Sequence, residues 1–168
     1  MPKIIENLPE KLAEEARRQV AEAGYAAMTI RSVATAGGVG VGTVYNYFSS
    51  KDDLLASSMQ DDWMVCVAAM GEVAGSETTA EAVARAVYDE LSDFVHRHNH
   101  IFRDEAAAKS FANSFRVYHG LLRSQLAAPM RRFFSDDFGA EFAAESLLTW
   151  TMAHKDFDTI WSQLRKLF

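Results

Sequence analysis

Apolar residues recur at spacings of three and four along nearly the whole chain, while the two-residue alternation of a half-buried strand is almost absent. That period predicts an all-α protein of about nine helices. The first is expected to start at Asn7 or Leu8, with Pro9 tolerated in its first turn, and to bury Leu8, Leu12, Ala16, Val20 and Ala23 before Gly24 ends it. Thr29 is placed to cap a short second helix from Ile30 to about Gly37, with Ile30, Val33 and Ala34 inward. Gly37, Gly38 and Gly40 leave room only for a tight turn around Val39. From Val41, VGTVYNYF makes barely two helical turns, with Val44 and Phe48 on one face and Thr43, Asn46 and Tyr47 pointing elsewhere. Two short helices joined by a glycine turn and backed by a longer one read as a helix-turn-helix.

Downstream, Ser50 and Asp53 supply the capping pattern of a long fourth helix through Leu54, Leu55, Met59, Trp63 and Val67 to about Gly71, and GEVAGSETTAEA reads as the loop that follows. Thr78 with Glu81 is expected to cap a fifth helix with the inward stripe Val83, Val87, Leu91, Phe94 and His98. A short sixth comes next. The segment from Ser110 to Phe134 puts Phe111, Phe115, Tyr118, Leu122, Gln125, Pro129 and Phe133 on one face, with a bend where Pro129 lacks a backbone donor. Asp136 or Asp137 opens a helix through Phe142, Leu147 and Trp150, and Asp156 opens the last.

The length, 168 residues, suits one domain or a small module joined to a larger one. Cys66 stands alone among Met64, Val65, Val67 and Ala68, which points to a reduced, buried thiol and a cytoplasmic setting. No apolar run approaches the roughly 20 residues that span a bilayer, so a soluble protein is expected. Charge works against a polyanionic partner: 17 Lys and Arg stand against 23 Asp and Glu. The imbalance is uneven, because residues 1–56 carry six and seven and the remainder carries the rest of the excess. The chain has no GxSxG, HExxH or GxxxxGK[ST] motif, so an enzyme, a catalytic residue and a cofactor are not expected. His96, His98 and His100 invite a metal, but Asn99 breaks the pattern and no cysteine or carboxylate falls at matching spacing; no metal is expected.

The stretch AGYAAMTIRSVATAGGVGVGTVYNYFSSKDDLL resembles the DNA-binding region of the TetR family of one-component transcriptional regulators. The likeness lies in a spaced set that includes Gly24, Tyr25, Thr29, Val33, Gly38, Val39, Gly42, Thr43, Tyr45, Tyr47, Phe48, Lys51 and Leu54, in register without a gap. The later part of the chain shares only helix number and order. The resemblance implies a ligand-responsive regulator, a repressor more readily than an activator, that binds a palindromic double-stranded operator as a homodimer and is released by a small-molecule effector. It also implies a helix-turn-helix DNA-binding domain over residues 1–50 and a helical effector-binding and dimerisation domain over 51–168. By the same resemblance Thr29, Thr43, Tyr47 and Lys51 hold phosphates, and Arg31, Val41, Gly42, Tyr45 and Asn46 face base edges. Their chemistry suits this: hydroxyls, a phenol and an ammonium for phosphate, an amide for adenine and a guanidinium for guanine.

Two positions depart from the family pattern. Gly40 stands where a capping serine is usual, and Val41 where lysine or arginine is frequent, so weaker and less salt-dependent DNA binding is expected. These positions also motivate an alternative, a TetR-like helical ligand- or protein-binding module with weak or lost DNA binding. Trp63, Phe94, His98, Phe102, Phe115, Tyr118 and Trp150 are candidates to line an effector pocket, although each could equally fill a core. Phe157, Ile160, Trp161, Leu164 and Phe168 are too apolar for an exposed terminus and are expected to bury against a second subunit.

Overall fold

The computed structural model describes residues 6–167, with the side chains of residues 108 and 111–118 outside that description. Among the described residues there is no strand. The α-helices are α1 (Leu8–Ala23), α2 (Ile30–Ala36), α3 (Val41–Tyr45), α4 (Lys51–Ser76), α5 (Ala80–Arg97), α6 (Asn99–Phe102), α7 (Glu105–Ala127), α8 (Asp137–Met152) and α9 (Phe157–Leu164). Short 3-10 turns follow α7 at Ala128–Phe133 and α9 at Arg165–Leu167. The chain divides into two compact units, Met1–Asp61 with His98–Ser114, and Asp62–Arg97 with Phe115–Phe168.

In the first unit α1 buries Leu8, Leu12, Ala13, Ala16 and Val20, and Ala23, expected inside, is exposed. Gly24 closes the helix at φ 83, where its N–H reaches the Val20 carbonyl at 2.9 Å; a side chain is disfavoured at that angle. Thr29 caps α2 through a reciprocal box: its hydroxyl accepts from the Ser32 amide at 2.9 Å and its own amide donates to the Ser32 hydroxyl at 3.0 Å. The turn into α3 rests on Gly38, at φ 67. Gly40 is extended, at φ −75, a conformation open to any residue, so the turn does not require glycine there. Val33, Ala34, Val44, Phe48, Leu54 and Leu55 share a core with the α1 stripe, Met28, Ile101 and Ala107.

Residues 98–114 thus complete the core of the N-terminal helices, with α6 packed on α1. The capping of α4 follows the sequence pattern, since the Asp53 amide donates to the Ser50 hydroxyl at 3.0 Å and the Asp53 carboxylate accepts from the Ser49 amide at 2.8 Å.

α4 runs past Gly71 and Gly75 to Ser76, five residues beyond the expected end. The carbonyls released at that end are met by Arg132, which donates to Ala74 O at 2.8 Å and also to Glu77 O. In the second unit α5 buries Val83, Ala84, Val87, Leu91, Phe94 and Val95 against α8 and α9. The cap of α5 is Thr79 instead of Thr78, its hydroxyl accepting from Ala82 N at 3.2 Å. His98 leaves the α5 stripe and stands at the start of α6, buried. Pro129 sits in the first turn of the 3-10 segment that ends α7, as the missing donor requires. Asp136 and Asp156 cap α8 and α9 through Gly139 N at 2.9 Å and Thr159 N at 2.8 Å.

Candidate nucleic-acid interface

α3 is five residues long and is held from one side only. Val44 is fully buried and Phe48 nearly so, while Tyr45 is 54% exposed and Tyr47 51% exposed. Burying two large aromatic rings normally contributes to stability, so two phenols left in solvent beside a tight turn mark a surface built to meet something. Gly42 and Asn46 are exposed with them, and Val41 and Thr43 are half-buried. A Cβ added at Gly42 would meet nothing within 4 Å, so this face of the helix is open to close approach. On α2, Thr29 and Arg31 are exposed as well. The nine residues singled out for DNA therefore lie on the segment from Thr29 to Lys51 of one unit; Thr29, Arg31, Gly42, Tyr45, Asn46 and Tyr47 are exposed, Thr43 is half-buried, and Val41 is half-buried against the core.

Lys51 is the ninth. Its ammonium donates to the Tyr25 carbonyl and lies 3.9 Å from the Tyr25 ring centre, and burial lowers its pKa from the ordinary lysine value. One of its three N–H donors is thus spent inside the chain. Two remain.

Two hydrogen-bond systems support this surface and have no signature in the sequence. Behind Thr29, the Ser32 hydroxyl reaches Gln19 Oε1 at 2.5 Å and the Gln19 amide donates to Glu15 at 2.8 Å; Glu15 also pairs with Arg18, which pulls its carboxyl down to about 2. Behind Lys51, the Tyr25 hydroxyl bonds Asp52 and lies 2.9 Å from the Ser110 hydroxyl, which donates to Asp52 at 2.6 Å. Burial, reinforced by Asp52, raises the Tyr25 phenol to about 12. The Tyr25 amide donates to Asp104 at 2.8 Å, and the other Asp104 oxygen caps α7 through Ala106 N and Ala107 N, both at 3.0 Å. The residues meet only through the fold: Asp104 and Ser110 are about 80 positions from Tyr25, far outside any local motif.

The expected pocket residues are divided between the two units. Trp63 and Phe94 meet edge to face at 5.2 Å in the second unit, where the Trp63 indole donates to Gln125 at 2.8 Å. His98 and Phe102 belong to the first unit, and the side chains of Phe115 and Tyr118 lie outside the described residues. Trp150 is 49% exposed and lines a surface groove with Phe142 and Leu167. The expected dimer residues are likewise redistributed. Phe157, Ile160 and Leu164 are buried within their own chain, Trp161 stacks on Phe157 at 5.9 Å, and Phe168 lies outside the described residues. The exposed apolar side chains of α8 and the end of α9 are Phe138, Phe142, Trp150 and Leu167.

Cys66 is buried against the Glu90 carbonyl, and burial pushes its thiol up to about 12, which removes the thiolate a nucleophile needs. Among the described residues no three His, Cys, Asp or Glu side chains are arranged to hold a metal, and no helix is long and apolar enough to cross a membrane.

What fold and surface define together is an all-α helix-turn-helix protein with a separate helical unit. Residues 12–57 match the family model of bacterial regulatory proteins, tetR family. Solved structures share the fold over nearly the full length. SCO7518 from Streptomyces coelicolor A3(2) matches at 16% identity with a TM-score of 0.70, covering 95% of this chain and 97% of its own. RolR, solved in complex with resorcinol, matches at 23% identity and a TM-score of 0.62, covering 96% and 88%. A TetR-like transcriptional regulator from Rhodococcus sp. RHA1 matches at 18% identity and a TM-score of 0.57, covering 99% and 95%. No curated protein matches by sequence. The family match is confined to the helix-turn-helix segment, and the solved structures share the fold.

Proposed function

We propose that the chain is a cytoplasmic, ligand-responsive repressor that binds a palindromic operator as a homodimer, with residues 1–50 as its DNA-binding domain and 51–168 as its effector-binding and dimerisation domain. The observation that carries the reading is the outward face of α3 and the turn after it, where Tyr45 on the helix and Tyr47 just beyond it stand in solvent while Val44 and Phe48 anchor the segment in the core. A helix of this kind can enter the major groove while hydroxyls and amines at its rim hold phosphates. Thr29, Thr43, Tyr47 and Lys51 take the phosphates; Arg31, Val41, Gly42, Tyr45 and Asn46 meet the bases.

The dimer is assigned to the exposed apolar side chains of α8 and of the 3-10 turn after α9, Phe142, Trp150 and Leu167, beside the α9 residues expected from sequence. The effector is assigned to the second unit around Trp63, Phe94 and Gln125, where an aromatic wall and an amide suit a small, partly polar molecule. RolR, which shares the fold, is solved in complex with resorcinol, which supports a small-molecule effector. Repression follows from linkage, because an effector that prefers the conformation unfit for DNA must weaken DNA binding by the same factor.

The test titrates fluorescent duplexes, including those flanking the chain's own gene, with the wild-type chain and the double variant Tyr47→Ala, Lys51→Ala. Affinity should fall by roughly tenfold or more, uniformly over sequences. Retained affinity would contradict the assigned contacts. A second reading, a helical binding module without DNA affinity, is favoured by the engagement of Lys51 with Tyr25 and by the weak cap at Gly40. It predicts no salt-dependent binding to any duplex.

A further inference from the structure

Reading a G·C pair directly in the major groove demands particular side chains. Guanine shows two acceptors, N7 and O6, best met by the paired donors of Arg or Lys, and cytosine shows an amino group best met by a carboxylate. From Ile30 to Asn46, through α2, the turn and α3, the chain contains one cation, Arg31, and no Lys, Asp or Glu. Arg31 is exposed, and among the described residues its guanidinium makes no hydrogen bond or ion pair, whereas Arg18 is held by Glu15 and Glu22 and Lys51 by Tyr25. The other outward groups are of a different kind. Val41, half-buried and packed against the core, keeps part of its methyl surface in solvent, Tyr45 offers a ring edge and Asn46 an amide, which suit the thymine methyl and the N6 and N7 edge of adenine. A Cβ at Gly42 would meet nothing within 4 Å, so the helix is open to close approach beside them.

We infer that the operator half-site is read as A·T pairs with a single directly read G·C pair, whose guanine belongs to Arg31. The inference rests on the proposed DNA-binding function and specifies its ligand. Thymine methyls carry much of the discrimination, in place of the cation that Val41 displaces.

The experiment selects duplexes from a random pool with the full-length chain, then measures affinity for the best duplex and two modified forms: 7-deazaguanine at the invariant guanine, and deoxyuridine for the half-site thymines. One invariant G·C pair per half-site is expected. Removing guanine N7 should cost the wild type roughly fivefold or more, and cost Arg31→Ala little further; uracil should weaken the wild type a few-fold and Val41→Ala less. Arg31→Gln, checked by circular dichroism with the alanine variant, guards against misfolding. Two or more invariant G·C pairs per half-site, or an equal N7 effect in wild type and both Arg31 variants, would overturn the inference while leaving the regulator reading in place. A pool that yields no salt-dependent duplex would overturn that reading, and this one with it.

Discussion

At the scale of single residues, the Asp104 carboxylate ties two distant stretches of the first unit together. One oxygen accepts the Tyr25 amide and the other accepts two amides at the start of α7, and these backbone bonds hold its carboxyl below the ordinary carboxylate range. A depressed pKa in the folded state means stability that is fully present above the unfolded value, near 3.9, and lost as pH falls through the folded value. Asp104→Ala should therefore lower the melting temperature at pH 7, and the gap to wild type should narrow below about pH 4. Differential scanning calorimetry across pH 3 to 7 reads it; a gap independent of pH would show that the charge of Asp104 contributes nothing. None of this was visible from Gly24 and Tyr25 alone. A sequence shows which residues can bond, but a carboxylate 79 positions from its donor is brought there only by the packing of α6 on α1.

The elements tell the complementary story. Caps written in short-range code were legible: Thr29 over Ser32, Ser50 with Asp53, Asp136 and Asp156 all act where the spacing of hydroxyls, carboxylates and amides places them. Legibility failed where an end depends on distant groups. α4 was expected to stop near Gly71, because two glycines and a serine lower helix propensity, yet Arg132 supplies donors to its last turn and the helix continues. The outward face of α3 is legible from Val44 and Phe48 on one side, whereas the apolar face of α9 does not say whose core it enters: Phe157, Ile160 and Leu164 are buried within their own chain.

Gly40 gives a prediction at this scale. It caps α3 with no side-chain bond, its extended backbone tolerates any residue, and a Cβ there has only Thr43 Oγ1 for a neighbour, at 4.0 Å. Gly40→Ser should add a hydroxyl acceptor for the first turn and stabilise by a few tenths of a kcal/mol, raising the melting temperature by about 1 °C. DNA affinity should rise with it. A fall in melting temperature would mean that the open cap is itself favoured by the packing of α3.

For the whole molecule the question is how a chain of net charge −6 grips a polyanion. Each phosphate neutralised by a cation contributes about 0.9 to the salt slope, and the assigned contacts include only Lys51 among the phosphate holders, with Arg31 at the bases. A shallow slope follows, so one half-site alone should bind weakly and the second must supply the remainder through effective concentration. The exposed apolar residues of α8 and of the turn after α9 are then as necessary to DNA binding as α3. The double variant Phe142→Glu, Trp150→Glu removes no residue from the helix-turn-helix unit and should convert the chain to a monomer by light scattering. Affinity for the full palindrome should then fall by roughly 10² to 10⁴, while affinity for a duplex carrying one half-site stays unchanged. If the variant remains dimeric, the interface lies elsewhere; if it is monomeric and binds the palindrome as well as wild type does, each α3 suffices alone and the two-site reading of the operator fails.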